Sequence, residues 1–169
     1  GVEADVDFVI GTFSKSLGAI GGYCASDHPD LDLIRYANRP YVFTASSSPA
    51  IIASTRRALA ILSAQPELRQ RLWENARRLY ARLQELGYRL GPEPSPIIAV
   101  RFARREQAYE LWTALIERGV YVNLVVPPAT PDGSSLLRCS ISAGHTPEQI
   151  ATIGNAFADL KRSFEIASA

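Results

Sequence analysis

Methionine is absent from all 169 residues, and cysteine and histidine occur only twice each. The lack of methionine sets the expectation that this is part of a longer translation product, cut within a larger protein. No charged-then-apolar leader precedes the strand-like opening GVEADVDFVIG. Cys24 and Cys139 are far apart and fit neither a C-x-x-C motif nor a zinc spacing. They give no disulfide framework and no metal site, so a reduced, cytoplasmic setting is expected. No apolar run approaches the roughly 20 residues of a membrane span. Lys and Arg number 18 against 17 Asp and Glu, a formal net charge of +1. That near-balance lacks the basic stripe of a general nucleic-acid binder. What is present is a globular composition, 47% hydrophobic and 21% charged, well away from the disordered class.

Residues 6–13 form an apolar run ending in small polar residues, the pattern of a buried strand leaving the core. Glycines at 18, 21 and 22 punctuate a loop, and a second short strand is expected over 22–26. Residues 39–44 (RPYVFT) read as a third strand. Pro49, with serines ahead of it to cap, opens a helix over 50–63. A longer helix runs from about residue 66, with Leu68, Leu72, Leu79, Leu83 and Leu86 at spacings of three, four or their sum, and Gly87 ends it. Its many arginines read as a solvated face. The segment GPEPSP (91–96) is the best internal boundary. After it a strand over 97–102, a helix over 106–118 with Leu111, Trp112, Leu115 and Ile116 inward, strands over 121–126 and 136–142, and a helix over 146–164 give the order β-α-β-β-α. That order suits a two-layer α+β unit.

The richest chemistry lies in Gly11-Thr12-Phe13-Ser14-Lys15-Ser16-Leu17-Gly18. A phosphate-binding P-loop requires a glycine directly before the lysine and another six before it. Here Ser14 precedes Lys15, Gly11 lies four before it, and no helix pattern starts at Ser16, so that reading is excluded. A lysine that forms an imine with an aldehyde cofactor fits, since its amine loses a proton when partly buried near other cations. From the local pattern alone, a solvated lysine in a serine-rich loop fits equally well.

GTFSKSLGAIGGY resembles the cofactor-lysine segment of the α-oxoamine synthase family of pyridoxal-phosphate (PLP) enzymes. RPYVFTASSSPA, PPATPDG, LLRCSIS and AGHTPEQI resemble further motifs of that family, in the same order and over essentially the whole chain. Within it, RPYVFTAS and PPATP are most similar to the bacterial serine palmitoyltransferase branch. The resemblance implies an α/β fold of the aspartate-aminotransferase type (PLP fold type I). Residues 1–90 would supply the end of the large PLP-binding domain with its connecting helices, and residues 91–169 a small C-terminal α+β domain. The groups that stack on the cofactor ring and pair with its pyridine nitrogen match nothing in this sequence.

The resemblance also implies roles. Lys15 matches the residue that carries the cofactor as an imine and then removes the amino acid's α-proton. Thr12 and Ser14 match hydroxyls near the cofactor phosphate, with simple turn chemistry as the alternative for Ser14. Thr44 and the backbone of Ala45 match a segment reaching the phosphate held by a neighbouring subunit; a strand-end hydroxyl bonded to its own backbone is the alternative. Arg138, taken as buried inside LLRCSIS, needs an anionic partner. The family match makes that partner the substrate α-carboxylate, which a planar guanidinium binds by two prongs; a structural salt bridge is the alternative. His145 reads as a capping or packing residue and His28 as an exposed loop residue. Val126 stands where serine palmitoyltransferases typically have an arginine that also handles the carboxylate.

The implied reaction is a decarboxylating condensation of an amino acid, L-serine first, with an acyl-CoA thioester. Its product is a 2-amino ketone of the 3-ketosphinganine type. The implied assembly is a cytoplasmic homodimer with shared sites, and the 169-residue chain alone is expected to be inactive. Alternatives are a relative that uses glycine or alanine, a non-catalytic partner subunit, whose usual mark is loss of the lysine, and an aminotransferase of the same fold type.

Overall fold

The computed structural model describes residues 1–130 and 132–164, the last two of them by backbone alone. Residues 165–169, the end of the expected small domain, lie outside it. The chain divides into two compact units, Gly1–Pro66 and Glu67–Ala169.

The first unit opens with a 3-10 turn (Glu3–Asp5) and an antiparallel ribbon of β1 (Val9–Thr12) and β2 (Gly22–Ala25). Their register pairs Gly11 with Tyr23 and Thr12 with Gly22. A Cβ on Gly11 would lie 2.5 Å from the Tyr23 ring, so the ring's seat on β1 requires glycine there. The short helices α1 (Leu31–Ala37) and α2 (Arg39–Val42) follow, then α3 (Pro49–Ala64). The helix α3 starts where expected: Ser48 Oγ accepts from the Ile51 amide, and Pro49 occupies the first turn, where it forfeits no bond. Two expectations are corrected here. RPYVFT is not a strand but contains α2, with Pro40 in the helix's first turn. The strand leading to the lysine is short and exposed rather than buried, with Val9 half open and Ile10 80% exposed. Its one strand neighbour among the described residues is β2.

The second unit holds the core. A three-stranded antiparallel sheet has the order β3 (Ile97–Phe102), β5 (Ser135–Ser140), β4 (Asn123–Val125). Pleating turns Ile98, Val100 and Phe102, with Leu137 and Cys139, to one buried face. On that face α5 (Arg105–Glu117) packs against all three strands, and α6 (Pro147–Phe164) against α5. The helix α4 (Glu67–Glu85) packs on α6 and β3, burying Ala76, Leu79, Tyr80 and Leu83 in a helical stripe. The unit therefore begins at Glu67, ahead of the 91–96 linker where the sequence places a boundary, because α4's apolar stripe has its partners in α6 and β3.

Three helix ends in this unit are capped by specific bonds. At Gly87 (φ 71°) the Gly87 amide bonds Gln84 O and the Tyr88 amide bonds Leu83 O; Gly119 (φ 75°) repeats the arrangement after α5. Both are left-handed caps that pair the last orphan carbonyls. At the start of α6, Thr146 and Gln149 bond each other's backbone amides, a reciprocal capping box. Tyr88 Oη donates to Phe157 O at 2.8 Å, tying α4's exit to α6. Ile116, expected inward, is 39% exposed, since α5 turns Leu111, Ala114 and Leu115 to the core. Among the described residues no helix is long and apolar enough to cross a membrane.

Candidate functional site

Lys15 sits in the loop joining β1 to β2. Phe13 closes that loop: its amide bonds Gly21 O and its carbonyl accepts from the Ala19 amide, both at 2.9 Å. Inside, the Gly18 amide bonds Lys15 O, making residues 15–18 a tight turn, and Gly18 (φ 60°) and Gly21 (φ 111°) adopt left-handed conformations that suit glycine. Lys15 is exposed, and its amine has no hydrogen-bond or ion-pair partner among the described residues. The partial burial expected of an imine-forming lysine is not supplied by this chain's own packing.

The two expected hydroxyls converge on each other just before it in the chain. Thr12 Oγ1 and Ser14 Oγ are 2.8 Å apart, Thr12 Oγ1 also donates to Gly21 O, and the Ser14 amide donates to Thr12 Oγ1. Both the turn role and a ligand role are open to Ser14, because its hydroxyl stays exposed. Thr44 and Ala45 lie after α2 and are exposed; the Thr44 amide bonds Tyr41 O. They line a hollow of about 830 Å³ with Phe13, Gly21 and Gly22, so the base of the lysine loop and the Thr44 segment share one concavity. On the other side Thr12, Phe13 and Ser16 line a second hollow with α3, where Thr55 Oγ1 is buried without a hydrogen-bond partner among the described residues.

In the second unit Arg138 is not buried. Residues 135, 137 and 139 face the helices, which puts Arg138 and Ser140 on the open face of β5. Its guanidinium donates Nη2 to Asn123 Oδ1 at 3.1 Å. Among the described residues it has no carboxylate partner, so the salt-bridge alternative finds no support. Arg138, Asn123, Tyr121, Ser140, His145 and Gln149 line a hollow of about 380 Å³. His145 has the packing role expected of it: its Nδ1 accepts from the Ser142 amide at 3.1 Å. The buried Asn75 of α4 donates to Ser142 O and His145 O, fixing this turn from behind. His28 is exposed, and its Nδ1 accepts from the Asp30 amide.

The loop after β4 is pinned at its far end. Asp132 takes the Ser134 hydroxyl and amide on Oδ1 and Arg101 Nη1 on Oδ2. Those Ser134 bonds, and secondarily Arg101, hold its carboxyl below the usual range. Val126 is half-buried and its carbonyl accepts from the Ala129 amide. Sequence reasoning passed over Asn123, although a polar residue within YVNLVV carries the same signal that singled out Arg138 within LLRCSIS.

A protein-family model, aminotransferase class I and II, matches residues 1–157. The serine palmitoyltransferase of Caulobacter vibrioides is 54% identical over 95% of this chain and 40% of its own length. The 8-amino-7-oxononanoate synthase of Alkaliphilus oremlandii is 38% identical over 89% of this chain and 38% of its own. A solved structure of serine palmitoyltransferase with PLP as internal aldimine has a TM-score of 0.95 at 47% identity, over 99% of this chain and 42% of that one. The chain thus spans about 40% of the length of the curated relatives it matches.

Proposed function

Because this chain belongs to the aminotransferase class I and II family and has the aspartate-aminotransferase-like α/β fold, we propose that it forms part of a PLP-dependent acyltransferase. The enzyme condenses L-serine with an acyl-CoA thioester, releases CoA and CO2, and yields a 2-amino ketone of the 3-ketosphinganine type. The observation that carries this reading is the lysine loop. Lys15, whose amine has no partner among the described residues, follows directly on two exposed hydroxyls, Thr12 and Ser14, that lie 2.8 Å apart, in a chain 54% identical to a serine palmitoyltransferase.

The donor set fits PLP. Thr12 and Ser14 would turn their hydroxyl hydrogens from Gly21 O and from each other to a phosphate, and Lys15 offers a primary amine to an aldehyde. When bound, the cofactor supplies the electron sink for carbanion chemistry. Lys15 Nζ holds the cofactor first and, once released, accepts the proton from the amino acid's α-carbon. Arg138 holds the α-carboxylate and so fixes which bond at that carbon is presented. Thr44 and the Ala45 amide, exposed on their shared hollow, serve the phosphate of a second copy, which makes the working unit a cytoplasmic homodimer.

Val126 supports a second reading. With an apolar side chain where the serine palmitoyltransferase pattern has arginine, the carboxylate rests on Arg138 alone, and a related synthase using glycine or alanine becomes the competitor. Lys15 itself stands against a non-catalytic subunit.

The test uses the full-length protein with PLP, acyl-CoA donors of several lengths, and serine, glycine or alanine. Borohydride is expected to fix PLP to Lys15, and serine to give the fastest release of CoA and CO2. Lys15→Ala is expected to abolish turnover; near-normal CoA release from that variant would sink the assignment. Faster turnover of glycine or alanine would select the second reading, and a keto acid from the amino donor without CoA would mark an aminotransferase.

A further inference from the structure

We infer that Asn123 is the positioning residue for Arg138, and that with Tyr121 behind it the amide sets the aim of the guanidinium at a substrate carboxylate. The inference rests on the reading of Arg138 as the carboxylate anchor. Asn123 and Arg138 are direct cross-strand partners in the β4–β5 pair. Arg138 Nη2 donates to Asn123 Oδ1 at 3.1 Å, and Asn123 Nδ2 donates to Tyr121 Oη at 3.2 Å. A guanidinium only donates, so the amide must turn its oxygen to Arg138, which leaves its NH2 for the tyrosine hydroxyl. The chain Tyr121–Asn123–Arg138 therefore has one sense.

The choice of an amide matters chemically. A carboxylate at position 123 would hold the guanidinium equally well but would neutralise it and compete with the incoming anion. A neutral acceptor orients the group and leaves its charge, and its remaining N–H donors, for a ligand. On the opposite side Arg138 pairs with Ala99 of β3, whose methyl group offers no polar contact. An arginine on an open sheet face samples many rotamers; here, among the described residues, the Asn123 amide is the side-chain group hydrogen-bonded to it.

The experiment measures KM for amino acid and acyl-CoA, kcat, PLP affinity and Tm in the full-length holoenzyme. Asn123→Ala is expected to raise the amino-acid KM roughly tenfold, the scale of one hydrogen bond to a charged group, while acyl-CoA KM, PLP affinity and Tm stay near wild type. Asn123→Asp, nearly isosteric, is expected to raise it at least as far, because its carboxylate occupies the guanidinium; a purely structural role would tolerate that exchange. Tyr121→Phe is expected to give a smaller rise of about two- to threefold, since it removes only the support behind the amide. An amino-acid KM within twofold of wild type in both Asn123 variants overturns the inference, as does a parallel loss of PLP affinity and Tm. Arg138→Ala separates the two levels of the argument. If it weakens amino-acid binding while Asn123 is silent, only the positioning role fails. If it leaves the amino-acid KM unchanged, the carboxylate reading fails and takes the inference with it.

Discussion

Arg138 shows how one side chain was legible in kind and illegible in place. An arginine inside LLRCSIS is conspicuous, yet alternation along β5 sends it away from the helices, onto the face they leave open. Exposure changes the expected consequence of substitution. With no structural ion pair among the described residues, Arg138→Lys is expected to leave stability nearly unchanged. It should weaken amino-acid binding by about 1.5–3 kcal/mol, through loss of the two-pronged geometry. Titration of the amino acid against PLP-loaded full-length enzyme checks this, and an equal loss of PLP affinity would contradict it. The opposite face of the same strand carries a pH effect. Burial pushes the Cys139 thiol up to about 12, and burial likewise raises the Tyr88 phenol. Both are neutral when folded, while the unfolded thiol ionises from about pH 8.5 and the phenol from about pH 10. The unfolded chain therefore binds fewer protons above those values, and stability falls as pH rises. The melting temperature of residues 67–169 is expected to be level near pH 7–8 and to decline toward pH 11. Cys139→Ala should remove the part of the decline that begins near pH 8.5.

Among the elements, those whose period and punctuation agree were readable. The helix α4 shows both, with an apolar stripe and a glycine just beyond its end, and so does β3, where residues 97–102 are observed as expected. Where composition and context disagree, composition misled. Tyr, Val, Phe and Thr favour strands, but in RPYVFT the proline sits in the first turn of α2, where it suits a helix. The helix α1 went unread because LDLIRYA is a bare two turns, too short for a helical period to stand out, and its Asp30 cap makes no side-chain capping bond to the helix. Capping gives a direct test at this scale. Thr146 Oγ1 accepts the Gln149 amide while Gln149 Oε1 accepts the Thr146 amide. Thr146→Ala is expected to cost about 1 kcal/mol, read as a lowered urea midpoint with unchanged slope. Gln149→Ala should cost less, because the threonine side of the box remains. No change in either midpoint would mean that α6 is held by its buried face alone.

Among the described residues, every fully buried apolar side chain lies between Ala76 and Leu160. Residues 1–66 keep Phe8, Ile10, Ile20, Phe43 and Leu59 exposed, and their one buried residue is Thr55. Burial of apolar area is what offsets chain entropy, so residues 67–169 are expected to unfold cooperatively by themselves and residues 1–66 to show no transition. Amide exchange on both pieces would check this. The 169-residue chain is expected to hold PLP weakly and to release no CoA from serine and acyl-CoA. Lys15-dependent release from it would show that the active site has been misplaced. The lysine loop was legible because its chemistry is local; the surroundings that would desolvate Lys15 were not, because none of them is encoded next to it. The attachment of α4 has one more consequence. Asn75 grips the Ser142–His145 turn and α4 packs on α6 and β3, so GPEPSP, for all its prolines, is a strap within one body and Gln65–Pro66 is the seam. A protease that nicks the chain near residue 65 should liberate a resistant piece with the Arg138 hollow whole, whereas a cut engineered at 91–96 should leave two fragments that stay together until denaturant is added.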